Sequence, residues 1–249
     1  MSGLIAGRLL PQRASRWRSG FGFDEAVRDA LRLRSPSARR WARDASDIAL
    51  TISQSWPFFD ALVAAGWYRD SPTVGVQQAL ISAEVLAVTA GMQGLVSFLA
   101  ARERPYGRDC AGGVLPDGRD CQARDRYYSF YSGHSSQSFA AAAVNCMHHA
   151  YVPLYGGGAA DDWACVAGLG VATTTALLRV VTDVHYVSDV VVGAAMGTAT
   201  GLVLPWALHY RFGPKQVAHE PARAAPGLHL TLLPLVTPNV NGVQGVGTF

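Results

Sequence analysis

Long apolar stretches separated by short polar segments run along most of this chain. They occupy residues 48–67, 74–101, 139–155, 163–181 and 186–208. A membrane-spanning helix needs about 20 mostly apolar residues, and the last stretch fits this best. Pro57 and Asp60 interrupt the first stretch, and the third is long enough only if the polar residues 134–138 begin the same helix. The pattern predicts an all-α, integral membrane bundle of five to six helices.

Glycines recur on the last apolar stretch. Gly193, Gly197 and Gly201 are four residues apart and therefore share one face of a helix. Small residues at this spacing let helix backbones approach closely in lipid. We therefore expect a tight bundle and not a set of isolated anchors.

Two segments of different character flank the apolar region, so we divide the chain into residues 1–45, 46–212 and 213–249. The first segment is Arg-rich and amphipathic, and apolar positions recur at helical spacing in residues 23–33. Such a helix could lie on a membrane surface or pack on the rest of the protein. In the third segment Leu228, Leu230 and Leu232 alternate, and Asn241-Gly242 is a turn signal. This tail is expected to be extended or a small hairpin, without a catalytic role.

Composition and charge agree with a membrane protein. Hydrophobic residues make up 49% of the 249 residues and charged residues only 16%, against roughly 25% charged in soluble domains. The net charge is +3, and ten of the 21 basic residues are arginines before Asp44. A basic segment can contact nucleic acid or anionic lipid headgroups. Because apolar spans follow it, we expect membrane lipids and not nucleic acid as partners, with the oligomeric state left open.

A polar loop, residues 102–131, separates the second and third apolar stretches. It contains Cys110 and Cys121, which can form a disulfide in an oxidising compartment or remain free thiols. Cys146 and Cys165 lie inside apolar stretches, and we expect them to be small packing residues. Their spacing suits no zinc site.

Three polar clusters lie at the ends of apolar stretches, where ionisable groups usually serve a site or an interface. The clusters are Arg102-Glu103-Arg104-Pro105, Tyr131-Ser132-Gly133-His134, and Arg179 with His185 and Asp189. His185 and Asp189 are four residues apart, so a helix would place the carboxylate beside the imidazole, as in catalytic dyads. A helix that starts at Ser132 would offer a phosphate site, and arginine is a planar, bidentate phosphate donor.

These clusters resemble the motifs of the type 2 phosphatidic acid phosphatase (PAP2) family and the related vanadium haloperoxidases. The family motifs are Lys-x6-Arg-Pro, Pro-Ser-Gly-His and Ser-Arg-x5-His-x3-Asp. This chain has Arg104-Pro105, Ser132-Gly133-His134 and Arg179-x5-His185-x3-Asp189 in the same order, and the resemblance covers residues 48–208. It implies a PAP2/haloperoxidase-like helical core.

The resemblance also implies roles for individual residues. His185 attacks phosphorus to form a phosphohistidine, Asp189 orients His185, and His134 protonates the leaving oxygen and later activates water. The phosphoryl oxygens are held by Arg104, Arg179, Ser132 and the Gly133 amide. No metal or other cofactor is implied.

The chain departs from the family pattern at three positions. Ser97 stands where the motif has lysine, which removes one phosphate-binding cation, and we consider Arg102 and Arg108 as auxiliary replacements. Tyr131 stands in place of proline and Leu178 in place of serine. Five further polar residues, for which we expect packing or interface roles, are Asp47, Asp60, Glu84, His148 and His149.

The leading hypothesis is a membrane phosphatase acting on lipid phosphomonoesters or polyprenyl diphosphates. The alternatives are a catalytically weak membrane scaffold or lipid-binding protein, motivated by Ser97, and a vanadate-dependent haloperoxidase. The Arg-rich N-terminal segment predicts a cytoplasmic site. The cysteine pair of the loop and the family resemblance predict an extracytoplasmic site in a bacterial inner membrane, which we favour.

Overall fold

The computed structural model describes residues 16–211, 229–237 and 240–248. Within residues 16–211 there are six α-helices: α1 (Gly22–Leu31), α2 (Pro36–Phe59), α3 (Pro72–Ala100), α4 (Gly133–Tyr151), α5 (Ala159–Val181) and α6 (Val187–Pro205). Two of them continue as π-helices, α2 through Asp60–Tyr68 and α6 through Trp206–Tyr210, and the polar loop carries short 3-10 helices at Pro105–Asp109 and Arg124–Tyr127. The expected all-α bundle is confirmed for this part of the chain, and α4 does begin in the polar segment.

Helix α4 is the centre of the bundle and contacts α2, α3, α5 and α6. Its residues 140–144 are buried, and four of these five residues are alanines. By length and composition, four segments of the described residues could each cross a membrane: Pro36–Tyr68, Pro72–Ala100, Ala159–Val181 and Val187–Tyr210. The protein is therefore an integral membrane protein in which apolar helices surround a small-residue central helix.

The three glycines of α6 bring its backbone against that of α4. A Cβ atom at Gly193 would lie 2.7 Å from the Ser132 carbonyl oxygen, and one at Gly197 would lie 2.1 Å from the Ser136 carbonyl oxygen. Both separations are below van der Waals contact, so larger residues would force the helices apart. The expectation of close helix approach is confirmed.

Helix α2 begins earlier than the division at residue 45 assumed. Ser35 caps it by accepting a hydrogen bond from the backbone N–H of Ala38, and Pro36 occupies its first turn. Arg39 donates to Asp117 in the polar loop at 2.7 Å. Burial raises the pKa of Asp117, but hydrogen bonds from Arg119 and Arg39 lower it to about 2. Arginines expected at a lipid surface therefore bind a loop carboxylate.

Helix α1 packs on the rest of the protein, which was one of the two alternatives for this segment. Its residue Asp24 is buried. Its residue Arg28 donates to Asp183, between α5 and α6, at 2.6 Å. Phe23 and Leu31 remain exposed.

Two disulfides are present among the described residues. Cys110 is bonded to Cys121 within the polar loop. Cys146 is bonded to Cys165, so the expectation that these two are separate packing residues is wrong. The neighbouring helices α4 and α5 bring their Cα atoms to 4.6 Å, a contact that their spacing along the chain does not reveal.

Four polar residues of the apolar helices, Asp60, Glu84, His148 and His149, have polar side chains as partners. His149 contacts Asp161 at 2.5 Å and Asp60 at 3.1 Å, both buried, at the end of the bundle away from the polar loop. The remaining contacts are His148 with Ser82 and Tyr210, and Glu84 with His209. These contacts agree with a packing role.

The tail contains a separate two-stranded hairpin. Strand β1 (His229–Thr237) pairs antiparallel with β2 (Val240–Thr248), and Thr237 lies opposite Val240. Asn241 and Gly242 pair with Val236 and Leu235, so they lie within β2 and not in the turn as the sequence suggested.

The substitution Gly197→Ala should destabilise the bundle, because the new methyl group would overlap the Ser136 carbonyl. We expect the free energy of unfolding to fall by about 1–3 kcal/mol, measured by thermal or denaturant unfolding in detergent. Gly170→Ala on α5 is the matched control, since nothing lies within 4 Å of a Cβ there. Equal stability of the two variants would contradict the close contact of α4 with α6.

Candidate active site

The three polar clusters meet at one end of the bundle. The end of α3 leads to Arg104, and Ser132 caps α4. Arg179 lies in the last turn of α5, and His185 lies two residues before the start of α6. The backbone N–H of Ser132 donates to the Asp189 carbonyl at 3.0 Å, which joins the starts of α4 and α6. Segments far apart in sequence therefore form one site.

His185 is buried and held in one tautomer. Its Nδ1 lies 2.8 Å from the Ser129 carbonyl oxygen. Because a carbonyl only accepts, Nδ1 carries the proton and Nε2 carries a free lone pair. Burial lowers the pKa of His185 well below its ordinary value, and the charges of Arg104 and Arg179 lower it further. The ring is therefore neutral at neutral pH and able to act as a nucleophile.

The carboxylate of Asp189 lies behind this imidazole, with Oδ2 3.7 Å from His185 Nδ1. Oδ2 accepts hydrogen bonds from the Ser129 hydroxyl at 2.6 Å and from the Tyr186 N–H at 3.0 Å. Ser129 therefore links the two residues: its hydroxyl donates to the Asp189 carboxylate, and its carbonyl accepts from the His185 imidazole. Ser129 lies outside the three motifs, so no pattern in the sequence pointed to it.

The start of α4 is open to an anion. The Ser132 hydroxyl accepts from the Ser135 N–H at 3.3 Å, as a helix cap does. The N–H groups of Gly133 and His134, in the first turn, have no partner within the helix. Such groups, together with the helix dipole, favour a bound phosphate.

Two arginines leave donors unused at this site. In the described part of the chain, Nε of Arg104 and Nε of Arg179 are buried without hydrogen-bond partners. A buried, unpaired guanidinium N–H is costly. Both N–H groups are therefore available to donate to a ligand with acceptor oxygens, such as a phosphoryl group.

Asp47 belongs to the site, although the sequence suggested only a packing or interface role. Its Oδ1 lies 2.7 Å from His134 Nε2 and 3.0 Å from Arg179 Nη1. Its side chain is 61% exposed. The available signal was a carboxylate directly before the first apolar stretch, a place where ionisable groups usually serve a site or an interface.

The region of the missing lysine is filled by neutral groups. The Ser97 hydroxyl donates to the Phe130 carbonyl at 2.9 Å and accepts from Gln93 Nε2 at 2.7 Å. Gln93 also donates to the Tyr131 carbonyl at 3.2 Å. Position 97 thus supports the backbone immediately before Ser132.

The two auxiliary arginines have other partners. Arg102 is fully buried and donates to Asp189 and Asp24. Arg108 pairs with Glu25. These contacts give no support to the hypothesis that either residue replaces the motif lysine.

Comparison with known proteins shows the family and the fold of the chain. The family model described as PAP2 superfamily matches residues 78–213, more than half of the chain. Lipid A 1-phosphatase of Porphyromonas gingivalis is 34% identical over 100 residues, which make up 40% of this chain and only 19% of that relative. The solved structure of a transmembrane PAP2-type phosphatidylglycerolphosphate phosphatase from Bacillus subtilis is similar in fold. It has a TM-score of 0.53 and 17% identity, over 77% of this chain and 86% of that one.

Proposed function

We propose that this chain, which belongs to the PAP2 superfamily, is a membrane phosphatase that hydrolyses lipid phosphomonoesters or polyprenyl diphosphates. The observation that carries the proposal is His185. Its imidazole is buried, and its Nδ1 proton is donated to the Ser129 carbonyl, which leaves Nε2 free. The charges of Arg104 and Arg179 lie close enough to the ring to lower its pKa. A neutral nucleophile beside two unused guanidinium donors fits phosphoryl transfer, which depends mainly on positioning and charge stabilisation.

The reaction has two steps. Nε2 of His185 attacks phosphorus, the bond from phosphorus to the leaving oxygen breaks, and His134 gives that oxygen a proton. His134 then takes a proton from water, whose oxygen attacks the phosphohistidine and releases inorganic phosphate. The carboxylate of Asp189 stabilises the positive charge on the His185 ring in the intermediate.

The phosphoryl oxygens are held by fixed donors. Arg104 and Arg179 supply their unpaired N–H groups, and the first turn of α4 supplies Ser132 and the Gly133 amide. Charge develops on these oxygens in the transition state, where preorganised donors contribute most. Asp47 stabilises the protonated form of His134, which is the form that acts as an acid.

A lipid substrate is supported by the place of the site in the fold. The site lies at one end of apolar membrane helices, where a headgroup phosphate would reach it while the lipid chains stay in the bilayer. Two similar proteins are named for lipid A 1-phosphate and phosphatidylglycerolphosphate. The class of substrate is therefore a phosphate group carried by a membrane lipid.

We propose an extracytoplasmic site. The Cys110–Cys121 disulfide lies in the loop on the side of the site, and disulfides persist in oxidising compartments. The arginines that suggested a cytoplasmic location are partly neutralised by protein carboxylates, Arg28 by Asp183 and Arg39 by Asp117. These ion pairs form in the folded protein, and the loop disulfide is the observation that carries the proposed orientation.

Replacing His185 by alanine should abolish turnover. We expect phosphate release by purified protein to fall at least about 1000-fold, as loss of a nucleophile does in hydrolases. The assay uses phosphatidic acid, phosphatidylglycerolphosphate, lipid A and undecaprenyl diphosphate. His209→Ala is the matched control, since His209 pairs with Glu84 outside the site. A radiolabelled, acid-labile phosphoenzyme should form in the control and not in His185→Ala.

The same assay separates the alternatives. No phosphate release by the wild-type protein across the panel would favour the scaffold or lipid-binding hypothesis. Halide oxidation after addition of vanadate, without phosphate release, would favour the haloperoxidase hypothesis.

The substitution Asp47→Asn should lower kcat and KM together. The amide no longer stabilises protonated His134, so we expect kcat to fall about 10-fold or more, with the 10²–10⁴-fold contribution of a positioned acid as the upper limit. It also frees Arg179 for phosphate, so KM should fall as well. Asp44→Asn, an exposed carboxylate on the same helix, is the control. An unchanged kcat would remove Asp47 from the mechanism.

Membrane orientation can be tested by labelling single introduced cysteines in intact bacterial cells. Val114→Cys lies in the exposed part of the polar loop, and Asp162→Cys lies exposed at the opposite end of the bundle. An impermeant maleimide should label the first variant in intact cells and the second only after lysis. The reverse pattern would place the site in the cytoplasm.

A further inference from the structure

A buried cluster of charges lies behind the candidate nucleophile. It consists of Asp24, Arg102, Ser188 and Asp189, and we call it the Arg102 cluster. The side chains of Arg102, Asp24 and Asp189 are all 0% exposed. Asp24 comes from α1, 78 residues before Arg102, so the N-terminal segment contributes to the surroundings of the site.

Arg102 is held from several directions at once. It donates to Asp189 Oδ1 at 2.5 Å, to Asp24 Oδ2 at 2.8 Å and to the Ser188 hydroxyl at 2.9 Å. The rings of Trp17 and Tyr186 lie 4.0 and 4.3 Å from its guanidinium carbon. Such stacking suits arginine, whose planar cation is weakly hydrated. The guanidinium is therefore fixed against Asp189.

Asp24 is ionised and fully hydrogen bonded. Ser188 donates to it through its N–H at 2.9 Å and its hydroxyl at 2.7 Å, and the Phe21 N–H donates at 2.7 Å. Burial raises the pKa of Asp24, but the bonds from Ser188, Arg102 and Phe21 together hold it below its ordinary value. Asp24 therefore provides a negative charge at neutral pH.

The charge balance of the cluster bears on His185. Arg102 alone would neutralise Asp189, which then could do little to stabilise a cationic imidazole 3.7 Å away. With Asp24 on the other side of Arg102, the three groups carry a net charge of −1. Because the cluster is shielded from water, the net charge of −1 interacts more strongly with the His185 ring than an exposed charge would.

We propose that Asp24 and Arg102 are positioning residues that hold Asp189 in place and keep the charge behind His185 negative. This inference rests on the proposed function. It assigns the N-terminal helix a part in the reaction, since α1 supplies the carboxylate that offsets Arg102.

The first variant is Asp24→Asn, which keeps the shape and removes the charge. We expect kcat to fall about 10- to 100-fold, the range found when partners one step behind a metal-bound histidine are removed, with KM within about twofold. The affinity for orthovanadate should fall by a similar factor, because vanadate bonded to His185 imitates the transition state. If Asp24 had only a structural role, the substitution would lower the stability of the protein without lowering kcat at a nearly constant KM.

The second comparison is the double variant Asp24→Asn/Arg102→Met. It removes one negative and one positive charge, so the net charge of −1 returns while Asp189 keeps its bonds from Ser129 and Tyr186. We expect it to be more active than Asp24→Asn and more active than Arg102→Met. Because the buried charges leave as a pair, it is also the variant most certain to fold. If one single variant does not fold, comparison with the other suffices.

Glu25→Gln is the matched control, since Glu25 lies beside Asp24 on α1 but pairs with the half-exposed Arg108. Its kcat and vanadate affinity should equal those of the wild type. A double variant no more active than either single variant, or an Asp24→Asn protein with wild-type kcat and vanadate affinity, would overturn the inference.

The vanadate measurement distinguishes the two proposals because it needs no turnover. If wild-type protein binds vanadate through His185 but hydrolyses no lipid phosphate, the proposed function fails. The Arg102 cluster is then still judged by the vanadate affinities of the same variants.

Discussion

The contact between α4 and the glycine face of α6 is the constraint on which the candidate site depends. His134 lies at the start of α4 and His185 two residues before α6, so the distance between these helices sets the distance between the two histidines. Because Gly193 has no side chain, the Ser132 carbonyl can lie against its backbone. The backbone N–H of Ser132 also donates a hydrogen bond to the Asp189 carbonyl. Backbone contact holds a catalytic geometry more firmly than long side chains do, because no rotamers need be fixed.

Around this contact, most buried arginines are matched by carboxylates. Arg102 lies between Asp24 and Asp189, and Arg119 contacts Asp117 in the polar loop. Removing a charge from water costs several kcal/mol unless a partner and hydrogen bonds replace the lost solvent. Nε of Arg104 and Nε of Arg179 lack hydrogen-bond partners. Two other guanidinium nitrogens of the described residues, Nε of Arg32 and Nη1 of Arg43, also lack a hydrogen bond, but they lie 3.2 and 3.9 Å from carboxylate oxygens. Guanidinium donors are therefore left for a ligand at the point where the proposed function needs a phosphate.

Sequence reasoning captured the features that depend on local spacing. The motif residues, the helical character of the bundle and the glycine face of α6 all follow from short repeats and motif order. It missed features that depend on distant contacts. Asp47 meets His134 across 87 residues, and Cys146 meets Cys165 only because two helices pack side by side. Asp24 had no signal either, since an acidic residue in a first helical turn is expected for the helix dipole alone.

Ser97 shows how the chain accommodates the loss of the motif lysine. With Gln93 it satisfies the carbonyls of Phe130 and Tyr131, so this part of α3 fixes the backbone that leads into Ser132.

Two features keep the positive charge of the pocket low: the motif cation at position 97 is absent, and the carboxylate of Asp47 lies beside His134 and Arg179. Coulomb attraction for a phosphate dianion weakens for substrate and product alike. Uniform weakening raises KM without slowing the chemical step, and it speeds turnover where release of product is slow. Under the proposed function, Arg104, Arg179 and the start of α4 remain as donors to the transition state. We therefore expect the substitution at position 97 to act more on affinity than on phosphoryl transfer.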